Sequence, residues 1–192
     1  DTRCGILIDI GSGSVSASIV LSDPHEELPE IVSVSHEHTP TSLVHSPENA
    51  ERSMRHSLGG VMDDLEKRGM ELLRGRFPRA RAETVLVSSG APWSETATQI
   101  IRFDRKKPFI ASARMIDELI LKAYADEESQ TDNTKKLREE GRHIVEKSII
   151  DIALNGYSVP NPYDREAREI AIAHVRGTVP TAVLTALAES GK

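Results

Sequence analysis

The chain has 192 residues, of which 38% are hydrophobic and 28% charged, enough for one domain of ordinary size or two small ones. Its 30 Asp and Glu residues outnumber its 24 Lys and Arg residues, and this acidic balance argues against a general nucleic-acid binder, which needs a basic surface. A single cysteine, Cys4, excludes an internal disulfide framework and a CxxC metal site. No apolar run approaches the roughly 20 residues of a membrane span, and the plain interpretation is a cytoplasmic protein.

The N-terminal region predicts a β-hairpin followed by a third strand. Residues 5–10 are apolar and β-branched, and residues 15–21 place apolar side chains at every second position. The Gly/Ser segment between the two runs is typical of a hairpin turn. A third strand is expected from about Glu30 to His36.

A long helix is expected next, because Ser46 is a good N-cap and Pro47 suits the first helical turn. Its apolar face is predicted from residues at helical spacing: Met54, Leu58, Val61, Met62, Leu65 and Leu72. Gly59 and Gly60 interrupt this pattern and indicate a kink or close packing, since each glycine costs about 1 kcal/mol relative to alanine. The helix is expected to end near Leu73.

The second half mixes strands and helices without a strict βαβ order. Strands are predicted over residues 84–89, 96–103, 144–154 and 169–175. A helix is expected to begin after Ser112, and Thr178 is expected to cap a closing helix. Such intermixing favours two small α/β or α+β modules. We place the boundary in the Arg- and Pro-containing stretch 77–82, which divides the chain into residues 1–82, with the order β-β-β-α, and residues 83–192.

One loop has a clear chemical logic. Asp9 lies at the end of the first strand, and four small residues follow Ile10: Gly11, Ser12, Gly13 and Ser14. Glycines allow positive φ and bring amide N–H groups close to an anion, while an Asp at a strand end can hold a hydrated divalent cation beside a phosphate. The loop has no Walker A lysine, and a strand rather than a Rossmann helix follows it. From the residues alone, an ordinary hairpin turn is an equally good interpretation.

The strand–Asp9-Ile10-Gly11-Ser12-Gly13-Ser14–strand segment resembles the first phosphate-binding motif of the actin, Hsp70 and sugar-kinase superfamily. The later β-rich region with Val85-Leu86-Val87-Ser88-Ser89-Gly90 is similar to FtsA and PilM, bacterial actin homologues with a small inserted subdomain called SHS2 or 1C. Residues 149–162, a strand with a Gly/Tyr turn and a proline-containing hairpin, also resemble that insertion. The resemblance implies an α/β fold in which a partial actin-like, ribonuclease H-like subdomain carries an inserted SHS2-type module at roughly 83–177.

The resemblance also implies roles for the loop. Asp9 would act through Mg²⁺-bound water, and residues 11–14 would cradle the β- and γ-phosphates of ATP. Ser16 and Ser18 stand in the region where some relatives have a lysine. The superfamily's second phosphate loop with an Asp-Gly pair, its catalytic carboxylate and its adenosine motif are not found after the inserted module. With no initiator Met and an end at Lys192, we expect a piece of a longer protein or a degenerate relative.

Such a piece is expected to bind nucleotide weakly and not to hydrolyse it, whereas the parent protein is the candidate for a weak ATPase. The implied function is that of an ATP-binding assembly protein in bacterial cell division or pilus assembly. It would be cytoplasmic, act at the inner face of the membrane, and contact other proteins or further copies of itself, with no nucleic acid. A different interpretation is a module that binds proteins but no nucleotide, in which the hairpin loop is purely structural.

Two further features are candidates for the interaction surface. Trp93, the single tryptophan, is either a partner-binding anchor or a core plug at a strand end. A basic cluster could meet an acidic partner or lipid head groups, although a solvated turn balanced by Asp104 is the simpler interpretation. The cluster consists of Arg102, Arg105, Lys106 and Lys107.

His36 and His38 share one face of the third strand, and this spacing can bind Zn²⁺. A zinc site needs further ligands, and no third ligand lies near in the sequence. An exposed strand end is therefore the favoured interpretation of the two histidines.

Overall fold

The computed structural model describes residues 3–39, 46–129, 137 and 139–190, and the chain divides into two compact units. The first unit comprises residues 1–94 and 181–192, and the second comprises residues 95–180. Each unit has its own sheet and buried residues, so the chain is a mixed α/β protein with two sheets. No helix within the described ranges is both long enough and apolar enough to cross a bilayer.

The first unit is built on a four-stranded mixed sheet. Its strands, in spatial order, are β3 (Glu30–His38), β2 (Ser14–Ser22), β1 (Arg3–Ile10) and β4 (Ala82–Ser89). β2 pairs antiparallel with both β1 and β3, whereas β4 lies parallel to β1. The predicted hairpin, third strand and fourth strand are confirmed, and the Gly/Ser loop leaves the sheet at the carboxyl end of β1.

One face of this sheet is packed and the other is open, because side chains alternate along each strand. The packed face of β1 and β2 consists of buried residues at every second position: Cys4, Ile8, Ile10, Val15, Ala17, Ile19 and Leu21. Their neighbours in the chain face the other way, among them Asp9 on β1 and Ser16 on β2. The period of two therefore decides which residues near the loop are free to meet a ligand.

A long helical segment in three parts packs on the covered face. Helix α1 (Pro47–Asp64) begins as predicted at Ser46, whose hydroxyl accepts a hydrogen bond from the Asn49 amide at 3.3 Å. A π-helical turn (Leu65–Gly69) and helix α2 (Met70–Arg76) follow. The segment buries Met54, Leu58, Val61, Leu65 and Leu73.

The irregularity of this helix lies in the π-helical turn and not at Gly59-Gly60. Gly60 instead allows close packing, since a Cβ there would overlap the Glu37 carboxylate. The expectation of close packing is confirmed at Gly60, whereas a Cβ at Gly59 would meet no atom within 4 Å, and α1 continues through both glycines. The extra residue of a π-helical turn also rotates the positions that follow it. Leu72, expected on the apolar face, is consequently exposed.

The second unit contains an antiparallel sheet and one long helix. Its elements are β5 (Glu95–Ala111), helix α3 (Ala113–Ser129), β6 (Arg142–Leu154), β7 (Tyr157–Ser158) and β8 (Arg165–Pro180). The strands lie in the order β5-β8-β6-β7, and the predicted turn after β6 contains Asn155 and Gly156 at φ of 53° and 84°. Ser112 caps α3 as predicted, accepting a hydrogen bond from the Met115 amide at 3.3 Å. The core is formed by Ala111, Ile116, Leu154, Ala167, Ile170 and Ile172.

The expected boundary between residues 82 and 83 needs correction. β4 belongs to the first unit because it forms a parallel ladder with β1, and the division falls between Ser94 and Glu95. Helix α4 (Thr181–Ser190) also returns to the first unit, where Glu189 accepts a hydrogen bond from Arg55 at 2.9 Å. The second unit is therefore an insertion of residues 95–180, and an SHS2 identity for it stays a prediction.

The closing helix begins two residues later than a cap at Thr178 predicts. Thr178 lies inside β8, where it pairs with Glu95 on one side and Ile144 on the other. A strand paired on both sides keeps its extended backbone, so the Thr and Pro that suggest a helix start serve instead as the last residues of β8. The helix begins only at Thr181.

Candidate functional site

Backbone hydrogen bonds hold the Gly/Ser loop of the first unit in shape. The Gly11 amide donates to the Ser14 carbonyl oxygen at 2.9 Å, and the Thr39 amide donates to the Gly13 carbonyl oxygen at 2.9 Å. Within the described ranges, the amides of Ser12 and Gly13 have no protein acceptor. Two N–H donors of the loop are therefore unused by the described residues, whereas the carbonyl oxygens of Gly13 and Ser14 already accept hydrogen bonds, and an anion site needs such free amides.

The two loop glycines are not explained by positive φ. Positive φ among the described glycines occurs at Gly141 and Gly156, so the conformational reason expected for Gly11 and Gly13 is wrong. A Cβ at Gly11 would stand 3.3 Å from the Ser14 carbonyl oxygen, whereas a Cβ at Gly13 would meet no atom within 4 Å. The missing side chain of Gly13 therefore leaves open space above the loop instead of relieving strain.

Four polar side chains form a row across the open face of the sheet beside this loop. Asp9 is paired with Ser88 on β4 and with Ser16 on β2, and Ser16 is paired with His36 on β3. Side chains directly opposite each other in neighbouring antiparallel strands share a face and lie about 5 Å apart at Cβ. The ring Nδ1 of His36 lies 2.8 Å from the Ser16 hydroxyl oxygen, within hydrogen-bond distance. We call Ser88, Asp9, Ser16 and His36 the polar row.

The Asp9 carboxylate is exposed and makes no hydrogen bond or ion pair with any residue that the structure describes. It lines a cavity of about 450 Å³ on the open face together with Ser16, Ser18 and Ser88. The rest of this cavity is apolar and is lined by Leu7, Ile31, Val34 and Leu86. A free carboxylate among hydroxyl groups can hold the water shell of a hard divalent cation, and the loop amides beside it can hold an anion.

A directly ligated metal centre is not formed by the described residues, since none of their His, Cys, Asp and Glu side chains cluster in groups of three or more. The rings of His36 and His38 lie 4.7 Å apart and meet edge to face. Two imidazoles without further ligands fall short of a tetrahedral zinc site. A single carboxylate, that of Asp9, fits a cation held through water and does not fit one held by several carboxylates.

Trp93 is part of the packing of the loop. Its side chain is only 7% exposed, and its Nε1–H donates to the Gly11 carbonyl oxygen at 3.0 Å. The turn that carries it is anchored to the sheet, because the Gly90 amide donates to the Ile10 carbonyl oxygen at 3.1 Å. A surface anchor needs an exposed ring, so the burial favours the core plug, and the assignment of Trp93 to an interaction surface is corrected accordingly.

The basic cluster of the second unit does not act as one patch. Arg102 donates to the Glu169 carboxylate at 2.6 Å, and the Arg105 guanidinium lies over the rings of Phe103 and Phe109 at 5.0 and 5.5 Å from their centroids. Lys106 and Lys107 are exposed, in the segment where the pairing of β5 with β8 shifts register. Two of the four cations are therefore engaged within the unit, which favours the solvated turn.

Ser88 and His36 lie near Asp9 in a way that no pattern of the sequence predicts. They are 79 and 27 positions away in the chain, and only the pairing of β4 with β1 and of β3 with β2 brings them into one row. The usable signal was alternation within β3, which puts His36 on the same face as the cavity-lining Val34. The site is thus a Gly/Ser loop with free amides beside a polar row, on the open face of a mixed sheet.

Structures of Ppx/GppA proteins from Aquifex aeolicus show a limited likeness to this chain. One, described as a PPX-GPPA enzyme, is 17% identical, with 46% of this chain and 27% of that chain covered and a TM-score of 0.31. A type II variant of the Ppx/GppA phosphatase is 17% identical, with 45% of this chain and 26% of that chain covered and a TM-score of 0.29. A further family member is 15% identical, with 46% of this chain and 36% of that chain covered and a TM-score of 0.28. The matches span about a quarter to a third of those chains. No protein-family model and no curated protein sequence matches this chain.

Proposed function

We propose that the first unit binds the phosphate chain of Mg·ATP between the Gly/Ser loop and Asp9, as part of an actin-like ATP-binding protein. The observation that carries the proposal is the exposed Asp9 carboxylate, followed in the chain by the Ser12 and Gly13 amides, with none of these groups bonded to a residue that the structure describes. The amides would hold phosphate oxygens. The carboxylate would hold a Mg²⁺ ion through water, and that ion would neutralise charge on the phosphates.

The strand arrangement of the first unit supports the actin-like assignment. Three strands followed by a long helix agree with the β-β-β-α start of the partial actin-like subdomain that the sequence resemblance implies. The loop joins the first two strands of this order. Fold alone does not establish function, so the assignment depends on the chemistry of the site.

The finer proposal is an FtsA- or PilM-like protein that works in bacterial cell division or pilus assembly. In this proposal the inserted unit, residues 95–180, provides surfaces for contacts with other proteins, the protein is cytoplasmic, and it acts at the inner face of the membrane. The proposal rests on the sequence resemblance and on the insertion of one unit into the other. We expect the 192-residue chain to bind nucleotide weakly and not to hydrolyse it.

Amide NMR of the ¹⁵N-labelled chain tests binding, because chemical shifts report even millimolar affinity. We expect Mg·ATP to shift the Ser12 and Gly13 amides, and we expect Asp9→Asn to weaken this binding about tenfold or more, the scale of one lost charge-assisted interaction. Asp117→Asn is the matched control, since Asp117 is exposed on α3 of the second unit. Loop amides that do not respond to several millimolar Mg·ATP, or an Asp9→Asn variant that binds like the wild type, would contradict the proposal.

Gly13→Ala provides a second and independent test. A Cβ at this position meets no atom within 4 Å, so the substitution leaves the folded loop intact. A methyl group above the loop would nevertheless hinder the approach of a phosphate to the amides. We expect weaker Mg·ATP binding at an unchanged melting temperature, and normal binding would place the phosphates elsewhere.

The apolar part of the open face favours a second candidate, a protein-binding module without nucleotide. Leu86 and Ile31 are 61% and 60% exposed, and exposed apolar patches of this kind mark interaction surfaces. Sedimentation of the wild type and Leu86→Glu across a concentration series tests self-association through this face. Association that is lost in Leu86→Glu, together with silent loop amides in the Mg·ATP titration, would select this alternative.

A further inference from the structure

We infer that His36 and Ser16 form a second, pH-dependent anchor for the phosphate chain, an inference that rests on the proposed function and names how its site would be regulated. The His36 ring and the Ser16 hydroxyl are in hydrogen-bond contact at 2.8 Å, and Ser16 lies directly opposite Asp9. Ser16 also lines the cavity that Asp9 lines. A ligand held at Asp9 therefore lies next to Ser16, on the neighbouring strand, and His36 lies on the strand beyond.

Positive charge is scarce on this face of the sheet. Among the described open-face positions of the four strands, only Arg3, His36 and His38 can carry a cation, and Arg3 pairs with Ser22 at the opposite end of β1 from the loop. Asp9 and the phosphates of a nucleotide are both negative. Among the described side chains of this face near the loop, those that can offset this negative charge are His36 and His38.

The titratable and charged groups facing His36 are few. Asp9 lies two strands away on β1, and His38 lies beside His36 on β3 with its ring 4.7 Å distant. On β2 the residues sharing this face next to it are serines. Glu37 points to the covered side, where its carboxylate lies 4.0 Å from the ring of His56. Among the described residues, Asp9 and His38 are therefore the charged or titratable groups nearest His36 on this face.

Protonation of His36 reverses the hydrogen bond with Ser16. A neutral ring can accept the Ser16 hydroxyl proton at Nδ1, which leaves only oxygen lone pairs facing the cavity. A protonated ring is a donor at both nitrogens, so Nδ1–H must donate to the Ser16 oxygen. The Ser16 O–H is then free to point toward the cavity, while Nε2–H of His36, already present in the neutral tautomer that accepts at Nδ1, is a donor in both states. One proton therefore adds a positive charge and turns Ser16 into a phosphate donor, without any covalent step.

The experiment compares affinities for Mg·ATP and for Mg·tripolyphosphate at pH 6.0 and pH 8.0, measured by amide NMR on the 192-residue chain. His36→Gln keeps a side chain that can hydrogen bond to Ser16 but cannot become charged, and Ser16→Ala removes the relayed donor. His25→Gln, in the loop between β2 and β3, and Ser22→Ala, at the end of β2 away from the Gly/Ser loop, are the matched controls. The ratio of variant to wild-type Kd cancels the protonation of the ligand itself.

We expect His36→Gln to raise Kd about tenfold at pH 6.0 and little at pH 8.0, because imidazole is charged mainly below neutral pH. Ser16→Ala should show the same pH pattern, the two controls should show none, and tripolyphosphate should reproduce the pattern of ATP. If the wild type binds but the His36→Gln ratio is equal at both pH values, or His25→Gln matches it, this inference is wrong and the proposed function stands. A wild type that binds neither ligand at either pH refutes the proposed function, and this inference with it.

Discussion

Removal of the Trp93 ring measures how strongly the turn after β4 supports the phosphate loop. The side chain is 7% exposed, so Trp93→Ala empties nearly the whole volume of an indole, and aromatic-to-alanine changes in a core cost about 3–5 kcal/mol. The same change leaves the Gly11 carbonyl oxygen without the donor that now lies 3.0 Å from it. We expect Trp93→Ala to lower the free energy of unfolding by about 3–5 kcal/mol.

Trp93→Phe separates the ring from its N–H group. A phenyl ring keeps most of the packing but cannot donate to Gly11, and a lost hydrogen bond of this kind costs about 1 kcal/mol. Because Trp93 is the single tryptophan, fluorescence is lost in both variants, and urea unfolding is followed by far-UV circular dichroism. We expect the free energy of unfolding to be highest for the wild type, lower for Trp93→Phe and lowest for Trp93→Ala.

A stability of Trp93→Ala within about 1 kcal/mol of the wild type would refute this reasoning, since no core aromatic is so easily removed. If that variant also failed to associate with itself or with a protein partner, Trp93 would be a surface anchor after all. Unchanged association with a large loss of stability is the result that the burial of the ring predicts.

Two further substitutions follow from burial in the two units. His174 in β8 is 1% exposed, and neither ring nitrogen has a hydrogen-bond partner among the described residues. His174→Leu should therefore raise the free energy of unfolding in urea at pH 7 by about 1–2 kcal/mol, and a decrease of similar size would contradict this. Burial, together with the nearby charge of Glu83, raises the pKa of the Cys4 thiol. The stability tied to this neutral thiol is complete below the pKa of the unfolded chain, about 8.5, and falls as pH rises toward the folded value. Cys4→Ser should flatten that alkaline fall, and a parallel curve for the variant would refute it.

Local features of the chain were predictable because they depend on neighbouring residues. The hairpin of β1 and β2 follows from alternating apolar residues on either side of a Gly/Ser turn. The caps at Ser46 and Ser112 follow from hydroxyl side chains just before apolar helical patterns, and both make the expected hydrogen bond. Such signals act over a few residues, so they survive without knowledge of the tertiary fold.

The misjudged features depend on distant partners. Thr178 resembles a helix cap locally, but strands on both sides keep it extended within β8. The division between the units could not be placed at Ser94, because it depends on the parallel pairing of β4 with β1 and not on composition. Leu72 was assigned to the core by a period that the π-helical turn interrupts.

The same contrast applies to the candidate site. The sequence by itself determined the loop and Asp9, because a carboxylate at a strand end and a run of Gly and Ser are contiguous in the chain. Only the tertiary structure decided that Trp93 hydrogen bonds to Gly11 of the loop and that His36 contacts Ser16, which lies opposite Asp9. Pairing between strands brings together residues that are distant in the chain, and no local pattern encodes which strands will pair.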